Sequence, residues 1–460
     1  MSDHRTDVTP KPLVVLILGG TTTVAKTLAQ YLLSGSHLRA VYVRIADRFS
    51  VKPPTTYLEK GFIKLLDDPN PRLEYQQVNL SNMDRLHDVL TPPAHWNDKT
   101  TGWERFDVVY DLTGDTSFDK PELIQISNTY QLALSLAKSA AGLPPDRKPE
   151  AYVRLTFPFY EMKSLPSSSP GHAETATLRP DGVRGRWWHE VLRGLAQVEG
   201  LNTGVVRCGA WYGRGSWEGE VIPRMVVGQV YQYLQEEMKF LHNADLRINT
   251  VHSVDVAQAL HRLSLYLLNT PRDKVMSESA VDLGFSFVSP PSPAFSLTSG
   301  KRSSISDAWR SVSTVVPEQR EVSIPLFNVV DDNDSTQEKL ASAVATLWGI
   351  DYGFINSTVA SLVQQFSKAS LTEMVEDVNE AHVEAWAEML SKSDPQIEST
   401  VISPYLGEHA FRKLAICLDA SKAKKLLGFE PAFPTVKVEE LRKIVEELQN
   451  DGLWPRMLGS

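Results

Sequence analysis

The chain has 460 residues, of which 42% are hydrophobic and 22% are charged, and its formal net charge is -9. This composition is ordinary for a globular protein, and the length allows two or three domains. The acidic balance and the lack of a basic run exclude a nucleic-acid-binding surface, which needs clustered Lys and Arg. Cys208 and Cys417 have no metal-ligand spacing, so neither a zinc site nor a disulfide framework is expected.

The first twelve residues, MSDHRTDVTPKP, are polar and lack the apolar core of a signal peptide. We expect residues 1–12 to be a disordered leader. No later stretch offers the roughly 18 apolar residues that a membrane span needs. The sequence therefore predicts a cytoplasmic protein without a transmembrane segment.

Apolar runs alternate with helical patterns in the first part of the chain. The predicted strands are 13–18, 40–46, 73–78, 106–112, 151–156 and 202–208, and the predicted helices are 21–33, 123–141 and 186–199. Strands that alternate with helices indicate right-handed crossovers and a parallel sheet covered on both faces. We therefore predict a doubly wound α/β fold over residues 13–210.

The pattern is looser in the rest of the chain. Residues 273–319 contain SPPSPAFSLTSGKRSSIS, a composition that does not support a packed core, so we predict a surface insertion there. A strand at 324–330 and helices that include an acidic one at 371–390 follow. Residues 211–272 and 320–460 are expected to form a smaller, mixed substrate-binding region, partly interwoven with the first domain.

The turn after the first predicted strand has the character of a phosphate site. In LVVLILGGTTTVAKTLAQYLL, Gly19 and Gly20 allow backbone N–H groups to approach a pyrophosphate at the start of a helix. In a GxxGxxG pattern that begins at Gly19, Thr22 and Ala25 replace the second and third glycines. Alanine suits the third position, whereas the branched Thr22 crowds the place of the phosphate.

The end of the second predicted strand strengthens this interpretation. Asp47 lies about 20 residues beyond the turn, where a carboxylate accepts a hydrogen bond from a ribose 2′-OH and repels a 2′-phosphate. The pair of features favours NAD as the cofactor. Arg48, the next residue, leaves NADP open.

The chain resembles the extended short-chain dehydrogenases/reductases, the NAD-dependent epimerase/dehydratase group that includes 3β-hydroxysteroid dehydrogenases. The stretches that carry the resemblance are LILGGTTTVAKTLAQYLL, VRIADR, NLSN, FDVVYDLTG, ISNTYQLALSLAKSA, VVRCGAWYGRG, INTVHSVDVAQAL, IPLFNVVDD and LDASKAKKLLGFEPAF. The resemblance implies a Rossmann fold and an oxidoreductase or epimerase-like activity. It also leaves a homodimer open.

The same resemblance implies where a cofactor would lie. Gly19, Gly20 and Thr22, Thr23 and Val24 would be at the pyrophosphate, and Asp47 and Arg48 at the adenosine ribose. Asn79 and Leu80 would be at the adenine, and Thr113 and Gly114 along the central part of the cofactor. Plain alternatives are a strand cap for Asn79 and an ordinary turn for Thr113 and Gly114.

The family's catalytic pair is a tyrosine followed four residues later by a lysine, and this chain lacks it. None of its 14 tyrosines has that lysine. Anchoring the family pattern on Glu190 places Gly182 at the tyrosine position and Arg186 at the lysine position. Arginine binds a ribose hydroxyl but does not relay protons, and glycine supplies none.

Substitutes for the missing acid are sought in the stretch LTFPFYEMK. Thr156 falls at the place of the family's catalytic hydroxyl, and Tyr160 and Lys163 offer a phenol and an ammonium; His189 is another titratable candidate. Each also has a purely structural interpretation. The predicted catalytic set is Thr156, Tyr160, Lys163 and Arg186.

Two functions stay open from the sequence. One is an NAD(P)-dependent oxidoreductase or epimerase-like enzyme acting on a small, apolar alcohol or carbonyl, for which aromatic residues near the expected cleft would form the walls. Those residues, which also suit a core, are Phe157, Phe159, Trp187, Trp188, Trp211 and Tyr212.

The second function is that of a catalytically silent nucleotide-binding sensor or scaffold. The sugar-nucleotide clamp of the family is in doubt, because Ile248 occupies the arginine position and Arg247 comes one residue early.

Overall fold

The computed structural model describes residues 12–34, 39–69, 71–96, 100–241, 243–287, 307–355, 368–407, 410, 412 and 414–457. Eleven of the twelve positions of the predicted leader lie outside these described residues, as do residues 288–306 of the predicted insertion.

Eight strands form one sheet at the centre of the molecule. In chain order they are β1 Leu13–Leu18, β2 Ala40–Asp47, β3 Leu73–Gln77, β4 Val108–Asp111, β5 Ala151–Thr156, β6 Thr203–Cys208, β7 Ala280–Asp282 and β8 Ser323–Val329. Their order across the sheet is β3-β2-β1-β4-β5-β6-β8-β7. All pairings are parallel except that of β7 with β8. The predicted doubly wound fold is confirmed, with its topological switch point between β1 and β4.

The helices surround this sheet. They are α1 Ala25–Leu33, α2 Lys60–Leu66, α3 Met83–Leu90, α4 Glu122–Gln125, α5 Leu132–Ala141, α6 Gly182–Ala196, α7 Ile222–Leu234, α8 Ser253–Asn269, α9 Arg272–Ser279, α10 Gln337–Trp348, α11 Lys368–Lys392, α12 Ser421–Leu427 and α13 Val438–Asn450. A π-helical segment, Ile126–Gln131, joins α4 to α5, and a 3₁₀ turn covers Ala308–Ser311. No helix in the described part of the chain has the length and apolar character of a membrane span.

Four pairs of short strands lie outside the main sheet in the described part of the chain. Two are parallel, Ala210–Tyr212 with Thr250–His252 and Met238–Phe240 with Tyr352–Phe354, and two are antiparallel, His95–Trp96 with Thr100–Thr101 and Tyr160–Glu161 with Arg179–Pro180.

Apolar residues cover both faces of the sheet. Every residue of β1 is buried, as the continuous run LVVLIL predicts for a central parallel strand. Helices α1 and α8 pack on one face, and α5 and α6 pack on the other. A third apolar cluster lies among α7, α10, α11 and α13, around the fully buried Trp454. Most of this cluster comes from residues of the predicted C-terminal region, but Tyr57 and Ala210 of the first predicted domain also belong to it.

The predicted surface insertion, residues 273–319, includes residues that belong to the packed structure at both of its ends. Residues 273–287 include most of α9 and all of β7, which pairs with β8 at the edge of the main sheet. Arg193 of α6 donates hydrogen bonds to the carbonyl oxygens of Leu283 and Pro317. Both ends of the segment therefore cover α6 and belong to the packed structure. The serine and proline content of the segment did not indicate this packing.

Phe287 should contribute strongly to stability. It is 6% exposed and packs on Trp187 and Trp309, with ring centroids 5.1 and 5.6 Å away. We expect Phe287→Ala to lower the free energy of unfolding by about 3–5 kcal/mol, because it leaves a cavity against α6. Urea denaturation measures the change. Leu123→Ala is the control: Leu123 is 73% exposed, so its loss should be about 0.5 kcal/mol or less. Equal effects of the two changes would contradict this packing.

Candidate nucleotide site

A cavity of about 270 Å³ lies at the carboxyl ends of β1 to β4. This is the switch point, where doubly wound sheets bind their ligands. Residues that end or follow β1, β2, β3 and β4, two residues of the π-helical segment and the start of α5, and two residues of the loop before α7 line it: Gly19, Gly20, Thr22, Thr23, Asp47, Arg48, Phe49, Asn79, Leu80, Ser81, Leu112, Thr113, Gly114, Asp115, Thr116, Ser117, Asn128, Leu132, Trp217 and Glu218. All predicted cofactor residues except Val24 are among them.

The turn after β1 requires its two glycines. Gly19 and Gly20 have φ values of 67° and 81°, in the region that favours glycine. A Cβ on Gly19 would lie 2.8 Å from Cγ2 of Thr113, and one on Gly20 would lie 2.7 Å from Cβ of Leu112. The turn after β1 therefore lies directly against the turn after β4.

Backbone N–H groups are available at this turn. The amide N–H groups of Thr22 and Val24 donate no hydrogen bond to any residue that the structure describes, whereas that of Thr23 donates to the carbonyl oxygen of Gly20. They precede α1, whose N-terminus adds a partial positive charge. Donors without partners beside a helix N-terminus form an anion site. Val24 belongs to it through its N–H alone, because its side chain is fully buried.

Asp47 fixes the same turn. Its Oδ2 accepts hydrogen bonds from the amide and the hydroxyl of Thr21, at 3.0 and 2.7 Å, and its Oδ1 accepts one from the amide of Arg48 at 2.7 Å. Helix α1 begins at Ala25 and not at Thr21 as predicted, since residues 21–24 form a turn. Oδ1 retains capacity for a further donor. Arg48 is exposed beside it, with its guanidinium over the ring of Phe49.

The remaining predicted cofactor residues lie at the ends of β3 and β4. Oδ1 of Asn79 accepts a hydrogen bond from the amide of Ser81 at 3.0 Å, so Asn79 also has the structural role that the sequence left open. Thr113 donates from its hydroxyl to Asp111 at 2.6 Å. The π-helical segment brings Asn128 to the cavity wall, and such segments are frequent at functional sites.

A buried ion pair supports the turn after β4. Arg154 and Asp111 are fully buried, with Nη1 2.6 Å from Oδ1. Tyr152 donates to Oδ2 of Asp111 at 3.0 Å. Trp188 covers the Arg154 guanidinium, which lies 5.0 Å from its ring centroid. This network holds the turn in place, because Thr113 bonds to Asp111 and Arg154, and Gly114 packs against Trp188.

The four predicted catalytic residues do not line the cavity. Thr156 is buried at the end of β5, and Lys163 is exposed in a loop. Arg186 is 7% exposed, and burial lowers its pKa. The structure therefore does not bring this set together around the cofactor residues.

Tyr160 and His189 form a buried pair of their own. Burial lowers the pKa of His189 to about 4, so the ring is neutral. Its Nε2 donates to the carbonyl oxygen of Gly284 at 2.7 Å, which leaves Nδ1 to accept from the Tyr160 hydroxyl at 3.1 Å. Burial also raises the pKa of Tyr160. The pair joins α6 to the segment before β8.

Two residues of α6 donate hydrogen bonds to the turn after β4, which forms part of the cavity wall. Arg184 donates to the carbonyl oxygen of Thr116 at 2.8 Å, and Trp188 donates from Nε1 to that of Asp115 at 3.0 Å. These two residues are four positions apart, and neither is Gly182 or Arg186, the positions that the family pattern gave for the catalytic pair. Glu190, on which that pattern was anchored, is a core residue: it is fully buried and pairs with Arg193 at 3.2 Å.

Sequence reasoning missed one end of the cavity. Asp115, Thr116 and Ser117 follow the predicted turn after β4, and Trp217 and Glu218 follow the GRG loop. Polar residues after a strand end were a usable signal for the first three, whereas no spacing rule points to the last two. The aromatic residues expected to form an apolar cleft are mostly core: Trp187, Trp188, Trp211, Tyr212 and Phe157 are 7% exposed or less.

Solved structures share this fold over nearly the whole chain. A dTDP-glucose 4,6-dehydratase from Streptomyces venezuelae, with NAD bound, is 12% identical with a TM-score of 0.55, covering 95% of this chain and 97% of its own. A UDP-glucose 4-epimerase from Thermotoga maritima is 12% identical with a TM-score of 0.53, covering 95% and 99%. A UDP-glucuronic acid 4-epimerase from Bacillus cereus, in complex with UDP-glucuronic acid and NAD, is 14% identical with a TM-score of 0.52, covering 95% of this chain and 99% of its own.

A scan against models of protein families and a search of curated proteins give no match. The chain has the fold of the epimerases and dehydratases to which its sequence motifs are similar.

Proposed function

We propose that the chain binds NAD in this cavity and exchanges a hydride between the nicotinamide and a small alcohol or carbonyl substrate. The observation that carries the proposal is the turn at residues 19–24, with two closely packed glycines and unpartnered N–H groups, next to the carboxylate of Asp47. When bound, the nicotinamide supplies hydride exchange. Structures of similar fold that hold NAD support the choice of nucleotide.

The residues present fit the dinucleotide. The N–H groups of Thr22 and Val24 would hold the pyrophosphate at the N-terminus of α1. The free capacity of Asp47 Oδ1 would accept from the adenosine ribose, and Asn79 and Leu80 would border the adenine. Thr22 points to the cavity without filling it, since it is only partly buried.

The charge of Asp47 favours NAD over NADP, because a 2′-phosphate would meet a carboxylate that is only 7% exposed. Arg48 is exposed on the same turn and would partly offset that repulsion. The proposal is therefore a preference for NAD with residual binding of NADP.

The substrate class is proposed from the polar residues that line the cavity. Relatives in fold act on sugar nucleotides, but Arg247 here pairs with Asp334 and donates to the carbonyl oxygen of Ser169 at 2.9 Å, so its guanidinium is committed within the protein. The end of the cavity beyond Gly114 has polar walls, formed by Asp115, Thr116 and Glu218. These walls favour a hydroxyl or carbonyl group and give no support to an apolar preference.

Asp47→Asn tests the cofactor choice. The amide oxygen keeps an acceptor for Thr21, whereas the charge is lost. We expect NAD affinity to fall about tenfold to a hundredfold and the preference over NADP to shrink, since a charged acceptor is worth more than a neutral one. Calorimetric titration with NAD and NADP measures both constants. Asp84→Asn, an exposed change on α3, is the control. Unchanged NAD affinity in Asp47→Asn would contradict the assignment.

Turnover separates this proposal from a silent nucleotide sensor. Absorbance of the reduced nicotinamide, followed with a panel of alcohols and carbonyls, should change with at least one substrate. Tight binding without turnover across the panel would favour the sensor. The homodimer and the cytoplasmic location stay predictions, the first testable by light scattering.

A further inference from the structure

Two carboxylic acids lie at the end of the cavity that the sequence did not predict. Asp115 follows β4, and Glu218 lies in the loop between residues 212 and 222. Gly215 lets this loop pack on Glu59: its φ is 72°, and a Cβ there would lie 3.1 Å from Oε2 of Glu59. Glu59 in turn pairs with the buried Lys26 at 2.9 Å. The loop that carries Glu218 is thus held against α1.

Polar atoms of this loop lack partners. The hydroxyl of Ser216, a residue with no exposed surface, and Nε1 of Trp217 have no hydrogen-bond partner, and both atoms are buried. The carboxyl group of Glu218 forms no hydrogen bond or ion pair with any residue that the structure describes. Since buried polar atoms are usually satisfied, the two unpartnered atoms of Ser216 and Trp217, followed by the unpartnered carboxyl group of the half-buried Glu218, indicate a site for a polar ligand.

The surroundings of Glu218 bring the pKa of its carboxyl group close to neutral pH. Its pKa is raised to about 7, chiefly by burial and then by the negative charge of Asp115, while the positive charge of Lys26 lowers it. The Lys26 ammonium is already bound to Glu59 and to the carbonyl oxygen of Tyr57, at 2.9 Å each, which limits its effect on Glu218. A carboxyl group that titrates near neutral pH can both give and take a proton under ordinary conditions.

We propose that Glu218 is the acid–base group of the cavity and acts in the place of the missing tyrosine. The inference rests on the proposed function. It fits the contacts of α6, because Arg184 and Trp188 donate to the cavity wall and neither can relay a proton. Trp217, which lines the cavity beside Glu218, would then donate a hydrogen bond from Nε1 to the substrate.

The step balances in both directions. In reduction, the carbonyl carbon of the substrate gains a hydride with its two electrons. The O–H bond of Glu218 breaks, and the proton forms a new O–H bond on the former carbonyl oxygen. In oxidation, the carboxylate of Glu218 takes the hydroxyl proton while the hydride leaves the carbon for the oxidised nicotinamide. Oδ1 of Asp115 accepts from the amide of Ser117 at 2.9 Å, which holds the carboxylate on the turn after β4, and its charge helps to raise the pKa of Glu218.

Glu218→Gln tests the proposal, and Glu220→Gln is the matched control, because Glu220 lies in the same loop and pairs with Arg224. Infrared difference spectra between about pH 6 and pH 8 should show one protonated carboxyl fewer in Glu218→Gln than in wild type or Glu220→Gln. An unchanged carboxyl signal in Glu218→Gln would overturn the inference without any reference to activity.

A second readout separates this inference from the proposed function. NAD binding, measured by calorimetry, should be nearly equal in wild type and both variants, whereas reduction of a carbonyl substrate should fall about 10² to 10⁴-fold in Glu218→Gln alone. In wild type the rate of reduction should decline as pH rises through about 7, because the proton of Glu218 is lost. Loss of NAD binding in wild type overturns the proposed function. Intact NAD binding with full turnover in Glu218→Gln overturns this inference only.

Discussion

Replacing Gly20 with alanine should abolish nucleotide binding, with affinity reduced at least about a hundredfold. The added Cβ would lie 2.7 Å from Cβ of Leu112, and the φ of 81° is unfavourable for alanine. The strain of about 1–3 kcal/mol would be relieved by moving the turn, and its N–H groups would no longer point to a common anion. Calorimetric titration with NAD measures the loss.

Two further variants separate loss of binding from loss of fold. Gly61→Ala is the control, since an added Cβ there meets nothing closer than 4.0 Å, and it should leave both binding and stability unchanged. Thr22→Asp adds a negative charge to a partly exposed position of the cavity wall. It should repel the pyrophosphate while the melting temperature stays near that of wild type. Normal NAD affinity in Thr22→Asp would place the phosphates elsewhere.

Arg154→Met should lower the free energy of unfolding by about 3–5 kcal/mol, because it leaves the carboxylate of Asp111 buried without its cation. Urea denaturation gives the value. The double variant Asp111→Asn with Arg154→Met should be less destabilised than Arg154→Met alone, since the isolated charge is removed. A double variant that loses the sum of the two single effects would contradict a coupled pair.

The fold and the nucleotide turn were accessible from the sequence because local patterns encode them. Buried parallel strands are continuous apolar runs, and β1 and β5 begin and end where the runs LVVLIL and AYVRLT do. Gly19, Gly20 and Asp47 have positions dictated by backbone geometry and by strand ends. Such constraints act over a few residues, so a single sequence reveals them.

The other end of the site depends on tertiary packing. Glu190 matched a family pattern, yet its side chain accepts hydrogen bonds from the amide and the hydroxyl of Ser286, nearly a hundred residues away. Glu218 reaches the cavity only because its loop packs on Glu59. Contacts at such separations leave no periodic signal, and so the sequence revealed neither the core position of Glu190 nor this carboxyl group.

The central claim is that the turn after β1 still holds a dinucleotide despite Thr22. Calorimetric titration of the wild-type protein with NAD, NADH, NADP and NADPH tests it most directly. We predict micromolar binding of NAD and NADH and weaker binding of NADP and NADPH, because Asp47 opposes a 2′-phosphate. Absence of binding by all four would show that Thr22 closes the phosphate site and would contradict the account.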